Sequence, residues 1–200
     1  MKIKPDDVFI YPTDTVWGIG CSIYSESGHE KIADIKRTSK DKPLSMMFTG
    51  ADEILASFKL PEEMSKEWLE DFFKLETTLG LPLTLAKIRI PKWATGESSY
   101  VSIRCLNTPV INSINNELRA PFFSTSLNLT GEPPVTKKEE ARKFHQQHAS
   151  DVLFFENQKS EDLSGTSSTI VFINENLNFE IKREGRRVEE VKEHLMKLFC

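Results

Sequence analysis

Short apolar runs of strand length alternate with helical apolar stripes from one end of this chain to the other. That alternation most restricts what the chain can become, because it points to an α/β fold built on a mixed sheet. Residues 8–11, 44–48, 83–90, 122–124, 152–155 and 169–173 read as strands from their β-branched and aromatic content and their Gly, Pro or Asn flanks. Met64, Trp68, Phe72 and Leu75 form one helical stripe behind a Pro61-Glu62-Glu63 start. Val188, Val191, Leu195 and Leu198 form another, and residues 29–37, 109–118 and 137–148 are shorter helical candidates. Residues 156–167 read as the longest surface loop, with Gly165 as a hinge. No repeat or linker divides the chain, so residues 1–200 are expected to form one domain.

A chain of this length can bury a real core without disulfides or metal. Its 38% hydrophobic and 28% charged content is that of a soluble globular protein rather than a disordered one. A net charge of -4 argues against a general nucleic-acid coat, while leaving room for a local basic groove. Cys21, Cys105 and Cys200 are odd in number and far apart, unlike a disulfide framework or a zinc site. The start lacks a signal-peptide run and no later stretch suggests a membrane span, so a cytoplasmic location is expected.

Polar segments follow several strand candidates. The richest is Ser124-Thr125-Ser126-Leu127-Asn128-Leu129-Thr130-Gly131, four hydroxyls and an amide closed by a Gly/Pro turn. It is either a polar strand end capping a turn or a cradle for phosphate oxygens. Tyr11-Pro12-Thr13-Asp14-Thr15-Val16-Trp17-Gly18 presents Thr13, Asp14 and Thr15 beyond a strand, as a plain connection or as a small polar site. Lys36, Arg37, Lys40 and Lys42 place four cations in seven residues. Taken alone they read first as a solvated helix C-terminus, with a polyphosphate clamp as the alternative. Ser102-Ile103-Arg104 sets an arginine in alternation with an apolar residue, and Gly165-Thr166-Ser167-Ser168 with Ile181-Lys182-Arg183 adds hydroxyls and a further cation. Gly18-Ile19-Gly20 lacks the third glycine of a dinucleotide loop, and no Walker-type sequence occurs. His145 and His148 fall on a charged helix and read as solvated.

Taken in order, these segments resemble the YrdC-like family, whose members make threonylcarbamoyl-AMP for modification of adenosine 37 in tRNA. The family pattern P-T-[DE]-T-x-[YFW]-G-[LIV]-G is met from Pro12 to Gly20. S-x-N-x-[ST]-G-x-P is met by Ser126, Asn128, Thr130, Gly131 and Pro133, S-T-[IV]-[VI] by Ser168 to Val171, and R-x-G by Arg183-Glu184-Gly185. The resemblance implies a twisted mixed sheet flanked by helices, with a concave basic cavity. It further implies an ATP-dependent nucleotidyltransferase that joins L-threonine and bicarbonate into a carbamate, attacks the ATP α-phosphate and releases pyrophosphate.

By resemblance, Thr15, Arg104 and Ser168 would meet threonine, and Lys36, Lys42, Ser126, Asn128, Thr136 and Arg183 would meet ATP. Lys36, Lys42 and Arg104 would be the catalytic set. Magnesium would arrive with ATP, with no ligand from protein side chains. Implied partners are tRNA or double-stranded RNA and the downstream tRNA threonylcarbamoyl transferase proteins, with no membrane. Three departures stand out. The family's K-x-R reads Lys36-Arg37-Thr38, which moves an arginine ~100° around a helix. W-P-G-P-x-T reads Leu79-Gly80-Leu81-Pro82-Leu83-Thr84, and S-A-N reads Ser126-Leu127-Asn128. The alternative they suggest is a YciO-like RNA- or nucleotide-binding protein of the same fold without synthase activity.

Overall fold

Strands buried on both faces set the architecture. In the computed structural model, which describes residues 2–156 and 163–199, nine strands join one mixed sheet. In chain order they are β1 (Val8–Pro12), β2 (Trp17–Ser22), β3 (Ser45–Phe48), β4 (Thr77–Pro82), β5 (Tyr100–Cys105), β6 (Phe122–Ser126), β7 (Leu153–Phe154), β8 (Thr169–Ile173) and β9 (Phe179–Arg183). Their order across the sheet is β7-β1-β2-β6-β3-β5-β4-β8-β9. The β1/β7, β3/β5 and β4/β8 pairs are parallel and the other five antiparallel.

The helices are α1 (Glu26–Lys36), α2 (Ala51–Ser57), α3 (Lys66–Phe73), α4 (Lys92–Thr95), α5 (Pro109–Leu118), α6 (Lys138–His148) and α7 (Val188–Met196). Local chemistry starts several of them. Ser25 accepts from the Gly28 N–H, Ser65 from Trp68 and Thr108 from Ile111, each hydroxyl satisfying a donor that the first helical turn leaves open.

Alternate residues feed two cores. Phe9, Tyr11, Met47 and Phe122 pack with Val110, Ile111 and Ile114 of α5. Their chain neighbours Val8, Ile10, Met46, Phe48 and Phe123 belong to the larger core, with Ile54 of α2, Trp68, Leu69 and Phe72 of α3 and Val191 and Leu195 of α7. Farther along, the residues in phase with the α5 core turn small and polar. Gly20 faces Ser124, Ser124 faces Ser45, Ser45 faces Ser102, and Ser102 faces Gly80. Directly paired residues point to one side of a sheet, so these form a row of hydroxyls and glycines across five strands.

The α/β class and mixed sheet match the sequence reading. Several elements differ: β2, β4, β5, β9, α2 and α4 were not among the candidates. The expected strand at 83–90 is instead a 3-10 turn, Leu83–Leu85, followed by an isolated bridge from Ala86 to Phe58. The strand lies just before it, in β4, where Pro82 closes the element because it has no N–H to extend a central ladder. Thr77 and Thr78 made that segment look polar, yet their hydroxyls are buried and paired, to the Phe72 carbonyl at 2.6 Å and to Ser168 Oγ at 2.8 Å. The Pro61-Glu62-Glu63 start gives way to the Ser65 cap. His145 and His148 are only partly solvated: both are half-buried, His145 against Phe154 and the Val152 carbonyl, His148 against Phe144. Half of the expected 156–167 loop, residues 157–162, lies outside the described residues. Gly165 is tied down rather than hinged, its N–H donating to the Thr15 carbonyl at 2.9 Å.

Gly20 sits where two strands approach closely. A side-chain carbon there would stand 2.5 Å from the Phe123 carbonyl oxygen and 3.0 Å from the Phe9 ring. Gly20→Ala should therefore force the β2/β6 ladder apart and destabilise the fold by ~1–3 kcal/mol, read as a lower urea midpoint.

Candidate active site

The polar end of that sheet face borders a cavity of about 260 Å³. Thr13 and Thr15 come from the β1–β2 turn, Gly18 from the start of β2, and Ser45, Ser102, Arg104, Thr78, Ser124 and Ser126 from the central strands. Ser167, Ser168 and Arg183 close one side, and Lys42 and Pro43 another.

The β1–β2 turn is built around hydroxyls. Thr13 Oγ1 donates to the Val16 carbonyl at 2.7 Å and receives the N–H groups of Thr15 and Val16 at 3.1 and 3.2 Å. Since the Thr13 proton is committed, the fully buried Thr15 hydroxyl donates to it at 3.1 Å and accepts from Arg104 Nη1 at 3.0 Å. Arg104 Nη2 donates to Asp14 Oδ1 at 2.7 Å, with the two side chains 10% and 24% exposed. Arg104 Nε is buried and has no partner among the described residues. Removing water from such a pair is costly, so its geometry must be good, and it fixes where the guanidinium stands.

Arg183 lies across the cavity wall. Its Nε donates to the Ser168 carbonyl at 3.0 Å and its Nη2 to Ser168 Oγ at 3.2 Å. Burial, and then the charge of Arg104, lower its pKa from the usual guanidinium value. Two cations that disfavour each other on one cavity wall make a place where an anion is welcome. At the other end, Tyr11 shares a very short hydrogen bond with Ser124, and burial raises its phenol pKa, so the ring anchors Ser124 as a neutral group.

Of the residues expected from the sequence, Thr15, Lys42, Arg104, Ser126, Ser168 and Arg183 line this one cavity. Lys36, Asn128 and Thr136 do not. Lys36 is buried on the last turn of α1, and its ammonium donates to the carbonyls of Ser126 and Asn128 and to Asn128 Oδ1. Asn128 Oδ1 also accepts from Ser126 Oγ at 2.7 Å, while its Nδ2 donates to the Leu129 and Glu132 carbonyls at 2.8 and 2.9 Å. Lys36 and Asn128 thus knot the loop that presents Ser126. Thr136 follows Val135, whose carbonyl accepts from Trp17 and whose N–H donates to Leu127, so it stands just beyond the same wall. Arg37 is the left-handed C-cap of α1, with φ 52°, and its side chain is exposed away from the cavity.

Sequence reasoning included Ser124 in its hydroxyl cradle but missed Ser45, Ser102 and Thr78 as wall residues, and missed that Asp14 grips Arg104. Ser102 carried a signal, lying two residues from Arg104 on a strand and so on the same face. Ser45 carried none. No cluster of three His, Cys, Asp or Glu residues suited to a metal occurs among the described residues.

A family profile described as telomere recombination, covering Sua5, YciO and YrdC proteins, matches residues 2–185. The chain belongs to the Sua5/YciO/YrdC family. Among its Sua5/YciO/YrdC relatives, a protein of Hydrogenovibrio crunogenus named threonylcarbamoyl-AMP synthase is 30% identical over 140 residues, 68% of this chain and 74% of that one. A protein of the same name from Xanthomonas oryzae is 31% identical over 134 residues, 66% and 70% of the two chains. Two solved structures share the fold. P. abyssi Sua5 complexed with L-threonine superposes with a TM-score of 0.75 at 21% identity, covering 93% of this chain and 54% of that one. E. coli YciO superposes with a TM-score of 0.73 at 19% identity, covering 91% and 84%. The chain thus spans about half the length of the Sua5 protein it matches. No helix among the described residues is long and apolar enough to cross a membrane.

The Lys36 clamp has a pH signature. Burial, with a smaller contribution from Lys42, lowers its pKa to about 8 from the usual 10.5. The unfolded chain then holds this proton more tightly than the folded one. Its contribution to stability is therefore full above about 10.5 and is lost as pH falls through about 8. Relative to Lys36→Met, the chain should gain stability as pH rises across that window, measured by urea unfolding at a series of pH values.

Proposed function

We propose that this chain synthesises L-threonylcarbamoyl-AMP from L-threonine, bicarbonate and ATP, releasing pyrophosphate. The observation that carries this reading is the convergence of Lys42, Arg104 and Arg183 with Thr15, Ser126 and Ser168 on one cavity. Such a wall offers fixed positive charge and hydroxyl donors, which is what phosphoryl transfer requires of a protein.

In this reading, Arg104 holds the threonine carboxylate, with Thr15 and Ser168 beside the substrate. The threonine amine takes up bicarbonate, forming the N–C bond of a carbamate with loss of water. A carbamate oxygen then attacks the α-phosphorus, the bond to the β-phosphate bridging oxygen breaks, and pyrophosphate leaves. Lys42 and Arg183 neutralise the charge developing on the phosphates. Ser126 addresses the α-phosphate and adenylate from the loop that Lys36 and Asn128 hold, and Thr136 borders the nucleotide. Asp14, the carboxylate of the β1–β2 turn, is engaged by Arg104. Magnesium would therefore be carried in by the triphosphate, where it supplies further charge neutralisation. The mixed anhydride would pass to tRNA threonylcarbamoyl transferase proteins and on to tRNA.

Pyrophosphate release should require ATP, threonine and bicarbonate together. Release without threonine, or none at all, overturns the synthase reading, and nucleotide binding without turnover would leave a YciO-like binding protein in its place. Arg104→Ala should chiefly raise KM for threonine and Lys42→Ala that for ATP, each by roughly ten- to a hundredfold. That range corresponds to losing one charged hydrogen bond of ~1.5–3 kcal/mol.

A further inference from the structure

Lys42 reaches the cavity from an exposed loop between α1 and β3, yet that loop is strapped from behind. His29, on the first turns of α1, is 3% exposed. Its ring lies 5.1 Å from the Trp93 ring, and Trp93 in turn packs edge-on against Phe123 at 5.5 Å, one residue from Ser124 on β6. Burial lowers the pKa of the imidazole, and the Lys42 main chain beside the ring opposes that shift. His29, Lys36, Thr38, Lys42 and Thr125 enclose a void of only about 10 Å³, at the lower limit for one water, so the loop meets α1 directly.

The opposite side of the loop is held as closely. The Leu44 N–H donates to the Ala94 carbonyl at 3.2 Å, and Lys40 pairs with Glu30 at 2.8 Å. Gly96, at φ 56°, leaves so little space that a side-chain carbon there would stand 2.4 Å from the Asp41 carbonyl oxygen. None of the motifs quoted above includes His29, Trp93 or Gly96, and none of the three lines the cavity that holds Arg104.

We propose that His29, backed by Trp93 and opposed by Gly96, is a positioning residue that fixes the Lys42 main chain and so aims its ammonium into the cavity. The role assigned to Lys42 rests on the polyphosphate reading given above. The strap itself rests only on the packing.

His29→Phe keeps a ring against Trp93 and removes the polar ring edge that lies beside the Lys42 main chain. It should weaken binding of inorganic pyrophosphate about three- to tenfold by calorimetry while leaving L-threonine affinity unchanged. In a Lys42→Ala background it should have no further effect on pyrophosphate. Amide exchange at residues 42 and 44 should rise in His29→Phe without any ligand. Gly96→Ala, which presses on the same loop from the other side, should reproduce both effects even if His29→Phe folds poorly. Unchanged exchange in both variants, or additive losses with Lys42→Ala, overturns the proposal. Faster exchange with pyrophosphate affinity that ignores Lys42 altogether upholds the strap and overturns the polyphosphate reading instead.

Discussion

The site depends above all on one buried ion pair. Arg104 belongs to β5 near the middle of the sheet, and Asp14 and Thr15 belong to the β1–β2 turn, whose nearer strand β2 is three strands away in the sheet order. A guanidinium removed from water needs fixed acceptors, and only the turn supplies them. The turn is fixed in its own right by Thr13, and it receives the N–H groups of Ser164 and Gly165 on its Asp14 and Thr15 carbonyls. One interaction therefore closes the cavity from three sides: the sheet floor, the turn, and the segment leading into Ser168.

A second group of contacts, independent of the first, sets the opposite wall. Lys36 has three donors and three nearby oxygens, all from the Ser126–Asn128 loop. A buried ammonium with that coordination acts on the shape of the loop before it acts on any ligand. Its charge still contributes to the potential behind Ser126, and its lowered pKa shows how strongly burial opposes that charge. The family's second cation after this lysine has no counterpart on the cavity side here. Thr38 occupies that position against α1, and Arg37 turns outward as a left-handed cap.

Much of this was legible in the sequence because motif residues and local caps act over short range. The Thr13-Asp14-Thr15 turn, Ser126, Arg104, Ser168 and Arg183 could each be picked out from residue type and spacing, and the cavity unites them. The hydroxyl row Ser124, Ser45, Ser102 could not be, because it exists only once β6, β3 and β5 are placed side by side in a given register. β4 was hidden for a related reason. Its threonines are polar in sequence and satisfied in the fold by Phe72 and Ser168, partners that a one-dimensional pattern does not display. Lys36 misled in the opposite sense: its charge was plain, but the three oxygens that claim it come from about ninety residues away.

The cations around the cavity share a design that explains how charge can be concentrated in a chain with a net charge of -4. Arg183 donates to Ser168, Arg104 to Thr15 and Asp14, and Lys36 to the Ser126–Asn128 loop. Each is therefore oriented by neutral oxygens or by a single carboxylate, and only Arg104 is neutralised by its partner. Their mutual repulsion is felt in the free protein, as the effects of Arg104 on Arg183 and of Lys42 on Lys36 show. A polyanion entering the cavity relieves that repulsion at a site whose donors already point inward, so little reorganisation accompanies the build-up of negative charge on a transferring phosphoryl group. Packing around Arg104 and the loops that carry Lys42 and Ser126 thereby becomes part of the chemistry, because it keeps like charges together where solvent alone would let them separate.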